Sequence, residues 1–120
     1  MKVKKFVQAI DSLSNNITSV PVILSDRKNY SISSVNYSQN SIVKLVAGSS
    51  PMNVNEFDKI MTKLCLIRPN ATIVVDIEDI YHIQNVAFGI DNINIIAGSK
   101  VKKWELKISS KKLKIFKLMI

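Results

Sequence analysis

Val20-Pro21-Val22-Ile23-Leu24, followed by Tyr30-Ser31-Ile32, Val35-Asn36-Tyr37 and Ala47-Gly48-Ser49, returns 51 positions later almost in step. Ile73, Val74 and Val75 fall on Val22, Ile23 and Leu24; Tyr81 falls on Tyr30, Ile83 on Ile32, Val86 on Val35 and Phe88 on Tyr37. After one deletion Ile93 meets Ile42, Ile95 meets Leu45, and Ala97-Gly98-Ser99 repeats Ala47-Gly48-Ser49. A fixed offset that matches Tyr with Tyr and a tripeptide with itself is the mark of an internal duplication.

Upstream of each β-rich stretch lies a helical period. Val3, Phe6, Val7, Ile10 and Leu13 share one helical face, as do Val54, Phe57, Met61 and Leu64. Asn53 with Glu56 forms a candidate capping box behind Pro51, and Ser14-Asn15-Asn16 and Arg68-Pro69-Asn70 end the helices after about three turns. Val20–Leu24 and Ala71–Val75 read as strands buried on both faces. Each is followed by two antiparallel strands around a polar turn, with Gly48 and Gly98 read as turn glycines.

The expected architecture is α+β, a tandem duplication of an αβββ unit with pseudo-twofold symmetry, its antiparallel strands forming sheets or an open barrel. Residues 1–120 form a single domain, with repeats over 1–50 and 51–100 and a lysine-rich tail over 101–120. Three strands under one helix bury too little apolar surface to stand alone, so the copies are expected to share a core. Trp104, Leu106 and Ile108 alternate with Glu105 and Lys107, and the period-2 pattern resumes from Leu113, which predicts a C-terminal β-hairpin.

The chain carries a net charge of +8, unevenly spread. Residues 101–120 hold seven lysines against Glu105 alone, whereas residues 1–100 are nearly balanced. Lys102, Lys103, Trp104, Lys107, Lys111, Lys112, Lys114 and Lys117 therefore form the candidate surface for nucleic-acid phosphates or an acidic protein, with Trp104 available for stacking. The competing structural reading is an edge strand guarded by lysines against aggregation. Arg27 and Arg68 are the only arginines and neither lies in the tail, which disfavours bidentate base readout there. The apolar end from Phe116 to Ile120 also allows a homodimer joined through the tail.

Residues with catalytic or metal chemistry are sparse. Asp76, Glu78 and Asp79 are the one acidic cluster, with Asp76 and Glu78 on one face if the strand continued. His82 is the only histidine and Cys65, the only cysteine, reads as a small core residue. A Gly-rich phosphate loop is absent, so neither a catalytic residue, a metal nor a cofactor is assigned, and the chain reads as a binding protein rather than an enzyme. One cysteine and apolar runs too short for a bilayer point to a cytoplasmic protein without a membrane partner.

The run Val3-Lys4-Lys5-Phe6-Val7-Gln8-Ala9-Ile10 through Leu13, then Val20–Leu24, Tyr30–Ile32 and Val35–Tyr37, resembles small uncharacterised proteins of phages and other mobile elements of low-GC bacteria. In those proteins a short helix leads to a valine-rich strand and a hairpin. The resemblance implies an accessory protein that binds host or viral macromolecules. The duplicated arrangement is also similar in outline to a sliding-clamp domain, although Met1–Lys5 is too short to supply the strand that would precede the helix.

Overall fold

A computed structural model describes residues 1–11, 20–24, 28–39, 41–88 and 92–102. Two helices and six strands follow one another as α1 (Val3–Asp11), β1 (Pro21–Leu24), β2 (Lys28–Asn36), β3 (Ile42–Gly48), α2 (Val54–Ile67), β4 (Thr72–Ile77), β5 (Asp79–Phe88) and β6 (Ile93–Lys100). The fold is α+β. The strands close into a barrel in sequence order, with β3 beside β4 and β6 beside β1 in parallel and the other four pairings antiparallel. The expectation of an open barrel or separate antiparallel sheets thus gives way to a closed one, because each half ends on a strand that can join the first strand of the other half. The predicted C-terminal hairpin lies outside the described residues.

Register shows how the interior is assembled. Tyr30 pairs with Val22, Val22 with Ile95, and Ile95 with Val86. Across the barrel Tyr81 pairs with Val75, Val75 with Leu45, and Leu45 with Val35. All eight side chains belong to or pack against one core cluster, which also takes in Ile32, Val43, Ile73, Ile77, Ile83, Ile93 and Ala97. The position of Val22 is therefore that of Val75, and the ungapped matching of Val22 with Ile73 is two residues out of register. Between β1 and β2 lie three residues, whereas Glu78 alone separates β4 from β5. A two-residue slip leaves every strand side chain on its own face, so apolar residues still matched apolar residues in the sequence.

The helices fill gaps in the barrel wall. Pairing of β5 with β4 stops at His82, and the edge of β4 vacated there takes the N-terminal segment instead: Ile73 N–H donates to the Met1 carbonyl and Val3 N–H to that of Ala71, both at 2.9 Å. Lys4 N–H donates to the Pro69 carbonyl, so two orphan donors of the first turn of α1 are satisfied by the chain entering β4. In the other half the β1–β2 pairing stops at Ser31, and Met52 N–H donates to the Ile32 carbonyl at 2.7 Å. The helices meet at Phe6 and Phe57, whose rings stand edge to face with centroids 6.4 Å apart. Val3, Phe6, Val7, Ile10, Phe57, Met61 and Leu64 are buried with the strand residues.

Local signals explain where α2 begins and ends. Asn53 caps it as expected, its side chain accepting from Asn55 N–H at 2.8 Å, two residues on rather than from the Glu56 position of a full box. The helix runs 14 residues, longer than the three turns expected, until Arg68 leaves the helical region at φ −141° and ψ 55° before Pro69. Strand β4 is buried on both faces at Ile73, Val74 and Val75 as expected, because Val74 packs with Ile42 and Val101 on the outside of the barrel.

Gly48 and Gly98 are strand residues, not turn residues. Register slips between Ile32 and Ser34 on β2 and between Ile83 and Asn85 on β5, leaving Ser33 and Gln84 as bulged residues that crowd against the two glycines. A Cβ on Gly48 would lie 3.0 Å from Ser33 Cβ and closer still to its hydroxyl, and one on Gly98 would lie 3.1 Å from Gln84 Cβ. Gly48→Ala should cost about 1–3 kcal/mol in urea unfolding. In a Ser33→Gly background the cost should shrink, and an equal cost in both backgrounds would refute the clash. Glu78 joins β4 to β5 with φ 63°, a conformation unfavourable for a glutamate. Glu78→Asn should raise the unfolding free energy by about 0.5–1 kcal/mol, read from the same denaturant midpoint.

Candidate nucleic-acid interface

The first residue of the tail is fixed to the barrel. Val101 N–H donates to the Ile80 carbonyl at 2.7 Å, and its buried side chain packs with Ile42 and Val74 on the outer wall formed by β3 and β4. Lys102 follows, exposed. Of the eight residues assigned to the lysine-rich strip, Lys102 is the one the structure places; Lys103, Trp104, Lys107, Lys111, Lys112, Lys114 and Lys117 lie outside the described residues. The strip therefore starts on the outside of the barrel. The rival reading, a lysine-guarded edge strand formed by the tail itself, also lies outside the described residues.

A second group of lysines comes from the helices, and the near-neutral sum of charges over residues 1–100 conceals it in the sequence. Lys2, Lys4 and Lys5 are exposed at the start of α1, and Lys59 and Lys63 are exposed one turn apart on α2. The pattern that buries Val3, Phe6, Val7 and Ile10 puts Lys4, Lys5 and Gln8 on the opposite, wet face. Burial holds the Met1 ammonium below its ordinary value, and repulsion from Lys2 and Lys5 adds to the shift. The Met1 ammonium thus lies within the fields of both lysines. Amphipathic spacing was the signal that could have found them.

Arg68 is committed elsewhere. Its guanidinium donates to the backbone carbonyls of Tyr37 and Gln39 and lies 5.8 Å from the centre of the Tyr37 ring, locking the end of β2 to the end of α2. Tyr30, Tyr37 and Tyr81 pack against the core as expected of structural aromatics, whereas Phe88 is 52% exposed.

The residues with potential chemistry are dispersed. Strand β4 ends at Ile77, so Asp76 and Glu78 do not share a strand face; Glu78 forms the connection and Asp79 pairs with Lys100 at 3.0 Å. Among the described residues no group of three His, Cys, Asp or Glu side chains could hold a metal ion. His82 sits half-buried on β5 opposite Val74, and Cys65 is half-buried against the core. A cavity of about 290 Å³ lies where β1 and β2 part from α2, lined by Val20, Pro21, Ser31, Ile32, Met52 and Phe57 among others. Its walls offer apolar contact and little polar chemistry. No helix among the described residues is long and apolar enough to cross a membrane.

Comparison with protein-family models, with curated proteins and with solved structures gave no match to this chain.

Proposed function

We propose that this chain is a non-enzymatic accessory binding protein of a phage or mobile element, a tandem duplicate folded as one cytoplasmic domain, that contacts nucleic acid through Lys102, Lys103, Trp104, Lys107, Lys111, Lys112, Lys114 and Lys117. The observation that carries the reading is the net charge of +6 within residues 101–120, a stretch whose first residue, Val101, packs on the outer wall of the barrel. Duplication is supported by the matching registers of the two halves and by a bulge facing a glycine in each. Lysine without arginine in the tail suits phosphate contact in preference to base readout.

A second reading is a regulator that docks on an acidic protein surface or pairs with a second copy through the tail. Leu66 and Ile67, 80% and 54% exposed at the end of α2, favour it.

Fluorescence anisotropy with labelled duplex and single-stranded DNA and RNA separates the two. Neutralising about five phosphates gives a log–log slope of affinity against salt near −4.5 on a duplex. Substituting Lys107, Lys111, Lys112, Lys114 and Lys117 by Gln should flatten that slope by about one for each phosphate left without its lysine. Binding absent at low salt, or indifferent to salt, would defeat the nucleic-acid reading.

A further inference from the structure

We propose that the cavity between β1, β2 and the start of α2 is a binding site for a small uncharged aryl amide, one aromatic ring carrying a secondary amide. The site is independent of the nucleic-acid reading and uses no residue of the tail.

The two halves of the barrel supply the argument, because the same place in the second half is closed. By register Ile73 corresponds to Val20 and Ile83 to Ile32, while Met1, Val3 and Phe6 stand to α1 as Met52, Val54 and Phe57 stand to α2. In the second half Ile73 N–H donates to the Met1 carbonyl, and Val3 and Ile73 are completely buried. In the first half Met52 is bonded to the β2 side, through the Ile32 carbonyl, but among the described residues no hydrogen bond joins it to Val20. Val20 and Val54 are accordingly half-buried, and both line a space of about 290 Å³.

A local difference accompanies the opening. Lys4 N–H, in the first turn of α1, donates to the Pro69 carbonyl of the chain entering β4. Its counterpart, Asn55 N–H, is taken by the side chain of Asn53. A cap supplied by the helix itself satisfies that donor without the incoming strand.

Size, charge and the groups left over define the occupant. An apolar cavity of about 150 Å³ holds benzene, so 290 Å³ accommodates a ring with a peptide-sized group beside it. Ile32, Val54 and Phe57 give apolar walls, and the Met52 thioether suits an aromatic ring. No charged side chain lines the space among the described residues, and an ionised ligand would lose its water there without gaining a partner. The bond made in the second half and missing from the first leaves the Val20 N–H to donate and the Met52 carbonyl to accept. A group set between them has to accept on one edge and donate from the other. A trans secondary amide does both.

The test uses the full chain and N-methylbenzamide, titrated while methyl resonances are followed by NMR. Shifts should move at Ile32, Met52 and Val54 and stay still at Ile83, Met1 and Val3, with a Kd on the order of 1 mM for a ligand of about ten heavy atoms. N,N-dimethylbenzamide, which has no N–H, and benzoate, which carries a charge, should each bind at least about fivefold more weakly. Val54→Phe, on a half-buried wall, should abolish the response. Thermal melting shows whether that form is folded, and if it is not, the shift pattern of the parent decides alone. Absence of shifts at about 10 mM, ten times the expected Kd, would overturn the proposal. So would equal shifts in both halves, a response that survives in folded Val54→Phe, or binding of benzoate or the dimethyl amide as tight as that of N-methylbenzamide.

Discussion

The structure depends on closing the sheet through two parallel seams. A three-stranded antiparallel unit has two open edges and one apolar face, and neither can be left in water. Here β3 supplies the partner for β4 and β6 the partner for β1, so each half removes the edges of the other. The seams differ in kind. Gly48 reaches Thr72 through α2, the crossover that parallel neighbours require, whereas β6 meets β1 across most of the chain, with Val22 beside Ile95. The second seam carries the greater loop-closure cost and joins sequence-distant residues at the centre of the core.

Closure also dictates where the helices go. In both halves the first strand pairs with the start of the second and then diverges, which opens a gap in the wall. The N-terminal residues of α1 occupy one gap by pairing with Ala71–Ile73, and the segment before α2 enters the other at Ile32. Val3, Phe6, Val7 and Ile10 then reach the same core as the inward strand residues, as do Phe57, Met61 and Leu64. The bulges at Ser33 and Gln84 bend the second strand of each half near that divergence, and glycine opposite them gives the room that the bend consumes.

Much of this was legible from periodicity. The helical face of Val54, Phe57, Met61 and Leu64, the Asn53 cap and the two-sided burial of Ile73 to Val75 all follow from local rules, and the structure bears them out. The register of β1 was not legible, because shifting Val22 from Ile73 to Val75 exchanges one apolar residue for another on the same face. Gly48 and Gly98 could be recognised as equivalent but not explained, since a bulge on a neighbouring strand leaves no mark beside the glycine. Barrel closure was also hidden, as it depends on which distant strands meet. Of the candidate tail surface, only the start at Lys102 can be placed on the fold. The helix lysines were missed because net charge over 100 residues averages Lys4, Lys5, Lys59 and Lys63 against the acids of the same stretch, Asp11, Glu56 and Asp58 of the helices among them.

Charge on this barrel is separated by the strands themselves. The connection between β4 and β5 gathers Asp76, Glu78 and Asp79, and the opposite end of β4 receives the N-terminal segment with Lys2, Lys4 and Lys5. A charge distribution polarised in this way gives a body of small net charge a directional field. The cations on that side are lysines, flexible and without the planar fork that reads guanine, while the arginine among the described residues is spent on Tyr37 and Gln39. Cations of this kind suit phosphate contact better than the reading of base edges.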